Sequence, residues 1–246
     1  MKRFAIISDI HANIDALNAV LEDIRNQQID EIICLGDIVG YNAAPVECIR
    51  AIRDIGCKVV KGNHDHYCSD LTVSLDDFHA NAASVIDWTR RMLSDADMDW
   101  LKNLPYVMTY QGFMGVHATL DTPENFRYIF DEWEAADNFA CQRTSLCFFG
   151  HTHEPCIFYR SPDHSITRFS PVDGKLDKGS YFINVGSVGQ PRDKDPRASY
   201  LILTVKSMTE RYIEFRRVDY DIEAAVDRIR AANLPARLAT RLMSGI

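Results

Sequence analysis

Glu31-Ile-Ile-Cys-Leu-Gly-Asp-Ile-Val-Gly40 is an apolar run cut short at Gly36-Asp37. Ile32, Ile33 and Leu35 have the composition and length of a short buried strand, so Asp37 stands just past a strand's carboxyl end. Open α/β sheets hold their ligands at that end. A Gly-Asp pair there is most often a turn capped by its own carboxylate. Nothing inside the stretch decides between turn and ligand, so the other strand ends must.

Upstream, Lys2 to Ser8 reads as a first strand, followed from near Asn13 by a helix with Leu17, Val20, Leu21 and Ile24 on one face. Downstream, Pro45 to Ile55 reads as a second helix and Lys58 to Lys61 as a third strand, ending at Gly62-Asn63-His64-Asp65. This alternation predicts parallel strands joined by helical crossovers. From about 67 to 103 the chain reads as a helical insertion too short for a core of its own, in which Trp88 and Trp100 are packing residues and His79 has no assigned role. Tyr106 to Tyr110 and Phe113 to His117 flank Gln111-Gly112 as a hairpin; Asp131 to Ala140 is helical; Ser145 to Phe149 is a strand ending at Gly150-His151-Thr152-His153.

Beyond it, CIFYR, ITRFS, YFINV, SYLILTV and RYIEFRRV alternate between turns, which predicts a second, largely antiparallel sheet packed face to face on the first. The tail, about 221 to 246, reads as an amphipathic helix broken near Pro235, with Arg228, Arg230, Arg237 and Arg241 on a solvated face. No linker interrupts the chain, so residues 1–246 are expected to form one domain of α/β (α+β) class.

Bulk properties narrow the function. A formal charge of -8 and a pI near 5.5 argue against a broad phosphate-binding surface and hence against an extended nucleic-acid partner. No run reaches the apolar length of a membrane helix, and the start, MKRFAIISD, turns polar too soon for a signal peptide, so a cytoplasmic protein is expected. The seven cysteines (Cys34, Cys48, Cys57, Cys68, Cys141, Cys147, Cys156) are odd in number and mostly lie in apolar runs, the pattern of small reduced core residues.

Five sites share one grammar, in which an apolar strand stops and metal-ligand residue types follow at once: Asp9 and His11; Asp37; Asn63, His64 and Asp65; His117; His151 and His153. If the strand continues extended, residues two apart point the same way, which would aim Asp9 with His11, and His151 with His153, at one spot. Mixed oxygen and imidazole donors without thiolate suit manganese, iron or zinc better than an all-oxygen calcium or magnesium cage.

In this order and spacing, Asp9-x-His11, Gly36-Asp37, Gly62-Asn63-His64-Asp65, His117 and Gly150-His151-Thr152-His153 resemble the five motifs of the calcineurin-like metallophosphoesterases. The Asn184-Val185-Gly186-Ser187 turn and Gln190-Pro191-Arg192 are similar to the small prokaryotic phosphodiesterase and diadenosine-tetraphosphatase-like branch. The resemblance implies a four-layer αββα sandwich of two mixed sheets flanked by helices. It implies that Asp9, His11 and His153 hold one metal, that Asn63, His117 and His151 hold a second, and that Asp37 bridges them. A metal-bridging hydroxide would then attack a small phosphodiester or a nucleotide phosphoanhydride. His64 would donate to the leaving oxygen, with Asp65 fixing its tautomer.

Substrate contacts are assigned to Asn13, Tyr41 and Arg192, although Asn13 also suits a helix cap. Asn42 stands where that branch often has Gly, and Val185 where it often has Pro; neither is expected to touch a ligand. The alternatives are a phosphomonoesterase or protein phosphatase, and a non-catalytic metal- or nucleotide-binding regulator, whose signature would be a missing ligand.

Overall fold

Phe4 and Ile6 of the first strand pack into one apolar layer while Ala5 and Ile7 pack into another, so the strand is apolar on both faces because both are covered. The computed structural model describes all of residues 1–246 except 77, 79 and 208, so His79 lies outside the described residues. In chain order the elements begin β1 (Lys2–Ile7), α1 (Ile14–Asn26), β2 (Glu31–Cys34), α2 (Pro45–Asp54), β3 (Lys58–Val59), α3 (Asn63–Ser69), α4 (Ala80–Met92), α5 (Asp95–Lys102), β4 (Val107–Tyr110) and β5 (Phe113–Val116). They continue α6 (Glu132–Cys141), β6 (Leu146–Phe149), β7 (Cys156–Arg160), β8 (Ile166–Phe169), β9 (Gly174–Lys175), β10 (Ser180–Asn184), β11 (Ala198–Val205), β12 (Arg211–Val218), α7 (Ile222–Ala231) and α8 (Ala236–Ser244).

The strands form two six-stranded mixed sheets, β3-β2-β1-β11-β12-β9 and β4-β5-β6-β10-β7-β8. Three apolar layers make the four-layer sandwich. Between the sheets lie Phe4, Ile6, Phe113, Phe148, Ile183, Leu201 and Leu203. The other face of the first sheet packs on α1 and α2 through Ala5, Ile7, Leu17, Val20, Ile49 and Ile202. The other face of the second packs on α6 through Cys147, Phe149, Phe158, Phe182 and Phe139. A fourth cluster joins α7 and α8 to Val85 and Trp88 of α4. No helix among the described residues is long and apolar enough to cross a membrane.

The two sheets are not divided as the sequence order suggests. The expectation of one C-terminal antiparallel sheet fails because SYLILTV and RYIEFRRV leave it for the first sheet. Strand β11 pairs antiparallel with β1, Phe4 opposite Leu203, and β12 pairs with β11. Parallel pairing with β2 occupies just one edge of β1, and a doubly covered strand at a sheet edge would leave a row of backbone groups unpaired. The long apolar strand β11 fills that edge. Strands β7, β8 and β10 instead join β6 and the β4-β5 hairpin.

All seven cysteines are free, and Cys141 alone of them is exposed. Of the tail arginines, Arg228, Arg230 and Arg237 are solvent-exposed as expected, Arg228 pairing with Asp15 at 2.9 Å and Arg230 with Asp227 at 3.1 Å, whereas Arg241 is half-buried.

Candidate metal centre

Loops leaving the carboxyl ends of β1, β2, β5, β6 and β10 meet in one place and are tied together backbone to backbone. The amides of Asp9, His11 and Ala12 donate to the carbonyls of Gly36, Asp37 and Ile38 at 3.0, 2.8 and 2.8 Å. The amides of Val188 and Gly189 donate to Ser8 and Asp9, each at 2.9 Å. Asp9, His11, Asp37, His151 and His153 all have φ between 49° and 66°, in the left-handed region. Five non-glycine residues held there are a concentration of backbone strain that the surrounding hydrogen bonds must enforce. The side chains therefore converge through left-handed turns, not through an extended continuation of the strands. The expected convergence of these side chains is present, but not by the extended geometry that the period-two argument assumed.

Glycines explain the repeated Gly-ligand pairs. A Cβ on Gly62 would collide with the Asp37 carboxylate, and one on Gly150 with Ser8 and the Asp9 carboxylate. The loops approach too closely for any side chain at these positions.

Two groups of donors result. In one, His153 Nε2 is 3.0 Å from His11 Nε2 and 3.3 Å from Asp9 Oδ1. In the other, His117 Nε2 is 3.1 Å from Asn63 Oδ1 and 3.2 Å from His151 Nδ1. Asp37 Oδ2 lies 3.5 Å from His11 Nε2 and 3.3 Å from His117 Nε2, between the groups. Its other oxygen accepts the His64 backbone amide at 2.8 Å. Three rings have their far nitrogen on a backbone carbonyl: His11 on Val39 at 3.2 Å, His117 on Leu35 at 2.8 Å, His153 on Gln190 at 2.6 Å. A carbonyl can only accept, so Nδ1 carries the proton and Nε2 turns a lone pair to the centre.

The donor set fits a cation. Asp9 Oδ1 is buried among imidazole nitrogens without a hydrogen-bond partner, and such an oxygen is costly unless a positive charge meets it. Burial alone would raise the Asp9 carboxyl, yet His153 and His11 beside it hold it well below the usual range. Burial pushes His151 down to about 3 and His153 to about 4, so both rings are neutral at pH 7 and free to ligate. Against the same burial, the charge of Asp37 drives His117 up to about 9. A proton there stands where a cation would.

A family model described as the calcineurin-like phosphoesterase superfamily domain matches residues 1–208. The chain belongs to that superfamily. As a calcineurin-like phosphoesterase it is a metal-dependent phosphoester hydrolase, and the clustered Asp and His side chains are its candidate ligands. It is 40% identical, over 98% of its own length and 97% of the relative's, to an uncharacterized protein of Methanocaldococcus jannaschii. A symmetrical bis(5'-nucleosyl)-tetraphosphatase of Actinobacillus pleuropneumoniae is 25% identical over 73% of this chain, which spans 65% of that relative. The crystal structure of a metallophosphoesterase from Sphaerobacter thermophilus superposes with a TM-score of 0.86 at 40% identity, covering 100% of this chain and 99% of that one.

Other assigned residues fall on either side of this phosphoesterase site. The Tyr41 ring lies tilted against His11 and His64, centroids 4.5 and 4.3 Å away, and the Arg192 guanidinium lies over it at 5.6 Å. Asn13 is committed elsewhere: Oδ1 caps α1 through the Ala16 amide at 3.1 Å and Nδ2 donates to Gly189 at 3.0 Å. Asp65 does not fix the His64 tautomer. Its carboxylate accepts the amides of Asp37, Ile38, Val39 and Gly62 at 2.8 to 3.3 Å. It holds the 36–39 loop open around Asp37, and burial together with the Asp37 charge pushes it up to about 6. His64 Nδ1 has no partner. Asn42, expected to touch no ligand, donates through Nδ2 to the backbone carbonyl of the candidate ligand His11 at 2.7 Å. Sequence reasoning missed Tyr128, stacked 4.2 Å from His151, and Phe126, 6.1 Å from His117. Both lie on a loop between β5 and α6 that has no periodicity to betray them.

Proposed function

We propose that this chain holds two metal ions, manganese, iron or zinc, and hydrolyses a small phosphodiester or nucleotide phosphoanhydride. Asp9, His11 and His153 hold one ion, Asn63, His117 and His151 the other, and Asp37 is shared. The observation that carries this is the position of Asp37 Oδ2, 3.5 and 3.3 Å from a donor of each group. The name of the A. pleuropneumoniae relative supports a nucleotide substrate. Bound there, two cations supply Lewis acidity at the phosphoryl oxygens and lower the pKa of the attacking water.

Hydrolysis forms a bond from water oxygen to phosphorus and breaks the bond from phosphorus to the leaving oxygen, which then takes a proton. His64 is the donor to that oxygen. Burial pushes its imidazole down to about 3, so the resting ring is neutral and offers one N–H. The negative charge of a bound phosphate favours the second proton. Arg192, braced by Gln190 Oε1 at 3.0 Å, presents its guanidinium to a non-bridging phosphate oxygen, and Tyr41 packs between Arg192 and His64. The whole chain is read as one domain, with 67–103 and 221–246 added to the sandwich. Seven free cysteines fit a reducing cytoplasm.

The test is the rate on bis-p-nitrophenyl phosphate against p-nitrophenyl phosphate for protein loaded with manganese, iron or zinc. The diester is expected to turn over faster, and His64→Gln to lower kcat about 10²- to 10⁴-fold with metal content intact. A preference for the monoester would move the assignment to a phosphomonoesterase. No turnover of either would overturn it.

A further inference from the structure

A cavity of about 240 Å³ opens beside the second donor group, and its walls are mostly aromatic: Tyr41, Tyr67, Phe78, Phe126 and Tyr128. Asn63, His64 and His151 give it polar lining, and Ala82 and Ile86 of α4 complete it. We infer that this cavity is a nucleobase site, which places the nucleoside of the substrate beside Asn63 and His151 with its phosphate on the metal centre. The inference rests on the phosphoesterase reading above and names its substrate class.

Sites that enclose a whole drug-sized ligand run to roughly 300–1,000 Å³. This one is smaller, the size for a single planar ring system whose ribose and phosphates stay outside. Aromatic walls stack on any base, because every base presents a π-face. The walls are held rather than incidental. Phe126 adopts φ 47°, a left-handed conformation unusual for a bulky side chain, and is almost fully buried there. Tyr67 meets Phe78 edge to face at 4.8 Å.

The polarity of the cleft sets the orientation. No hydrogen bond among the described residues uses the hydroxyls of Tyr67 or Tyr128, leaving two donors for a base edge. Across the site the wall is cationic. Arg192 lies over Tyr41; α8 packs on Tyr41 and is tied to the following loop by the Lys194 amide on the Gly245 carbonyl at 2.8 Å. Burial and the charges of Arg192 and Arg237 lower Arg241 on that helix. No ion pair among the described residues involves these three arginines. Further phosphates of a nucleotide anhydride therefore extend toward Arg192 and the base toward Phe126. The 67–103 segment gains a role, since Tyr67, Phe78, Ala82 and Ile86 all come from it.

The test is equilibrium binding by calorimetry to manganese-loaded protein, with AMP and ribose 5-phosphate as probes. AMP should bind at least about tenfold tighter than ribose 5-phosphate. Ala82→Phe, which fills the cavity, and Tyr128→Ala, at a half-exposed ring of its wall, should each bring that ratio down toward one. Equal affinity for the two probes overturns the inference, as does a ratio that both variants leave unchanged. Because the readout is binding, a protein that keeps the AMP preference yet hydrolyses nothing supports the base site and overturns the reaction assigned above.

Discussion

The two donor groups at the centre differ in how they are held. Asp9, His11 and His153 are at most 2% exposed, and both rings are braced by backbone carbonyls. In the other group only His117 is braced that way. Asn63 is half-buried, and His151 leaves Nε2 without a partner and rests against the half-exposed ring of Tyr128. The first group is closed and rigid, whereas the second forms the floor of the aromatic cavity. The difference teaches that a site of nearly symmetric chemistry is closed on one side and open on the other, the open side being the one that carries the proposed base site.

The largest expected effect breaks either side. His153→Ala and His117→Ala should each lower turnover by more than about 100-fold, beyond the loss typical of an outer partner. Metal analysis should show His153→Ala losing the tightly held ion and His117→Ala the exchangeable one. Equal exchange rates for both ions in the wild-type protein would erase the distinction.

Asp65 belongs to neither group yet shapes the residue they share. Asp65→Asn turns an amide N–H toward donors that now find an oxygen, which should cost roughly 3 kcal/mol in urea unfolding. A loss of activity at unchanged stability would restore Asp65 as a partner of His64.

Acid should act through the rings that burial keeps neutral. His64, His151 and His153 are depressed to about 3, 3 and 4. A histidine with a lowered folded pKa contributes stability above its unfolded value near 6.5, and that contribution is lost as pH falls toward the folded value. Metal-free protein should therefore lose on the order of 3 kcal/mol between pH 7 and 5. His117, raised to about 9, opposes this, its contribution being complete below about 6.5 and lost as pH rises through 9. Urea titrations at the two pH values check the net sign; greater stability at pH 5 would contradict it. The smallest effect sharpens the closed side: Asn42→Ala removes the donor to the His11 carbonyl and should reduce metal affinity about tenfold, measured by chelator competition.

The strand ends were legible because apolar runs stopping at Gly-Asp, Gly-Asn and Gly-His are local signals, and Asp37, Asn63 and His151 stand at such points. The left-handed turns that aim them were not, since Asp9 and His11 at positive φ depend on carbonyls supplied by the Gly36–Ile38 loop, which lies beyond the next helix and strand in the chain. Sheet membership of β11 was hidden for a like reason. Alternation in SYLILTV is the same whichever sheet it joins, and only the free edge of β1, nearly 200 residues earlier, decides. Phe126 and Tyr128 sit on an aperiodic loop, and Arg241 looked like its solvent-facing neighbours because helical spacing does not reveal what another loop brings opposite.

The most direct test of a shared centre is metal counting on Asp37→Asn against the wild-type protein after dialysis with a weak chelator. One oxygen serving both groups predicts two ions per chain in the wild type and loss from both sites in the variant. A variant that still holds two ions as tightly as the wild type would show that Asp37 bridges nothing.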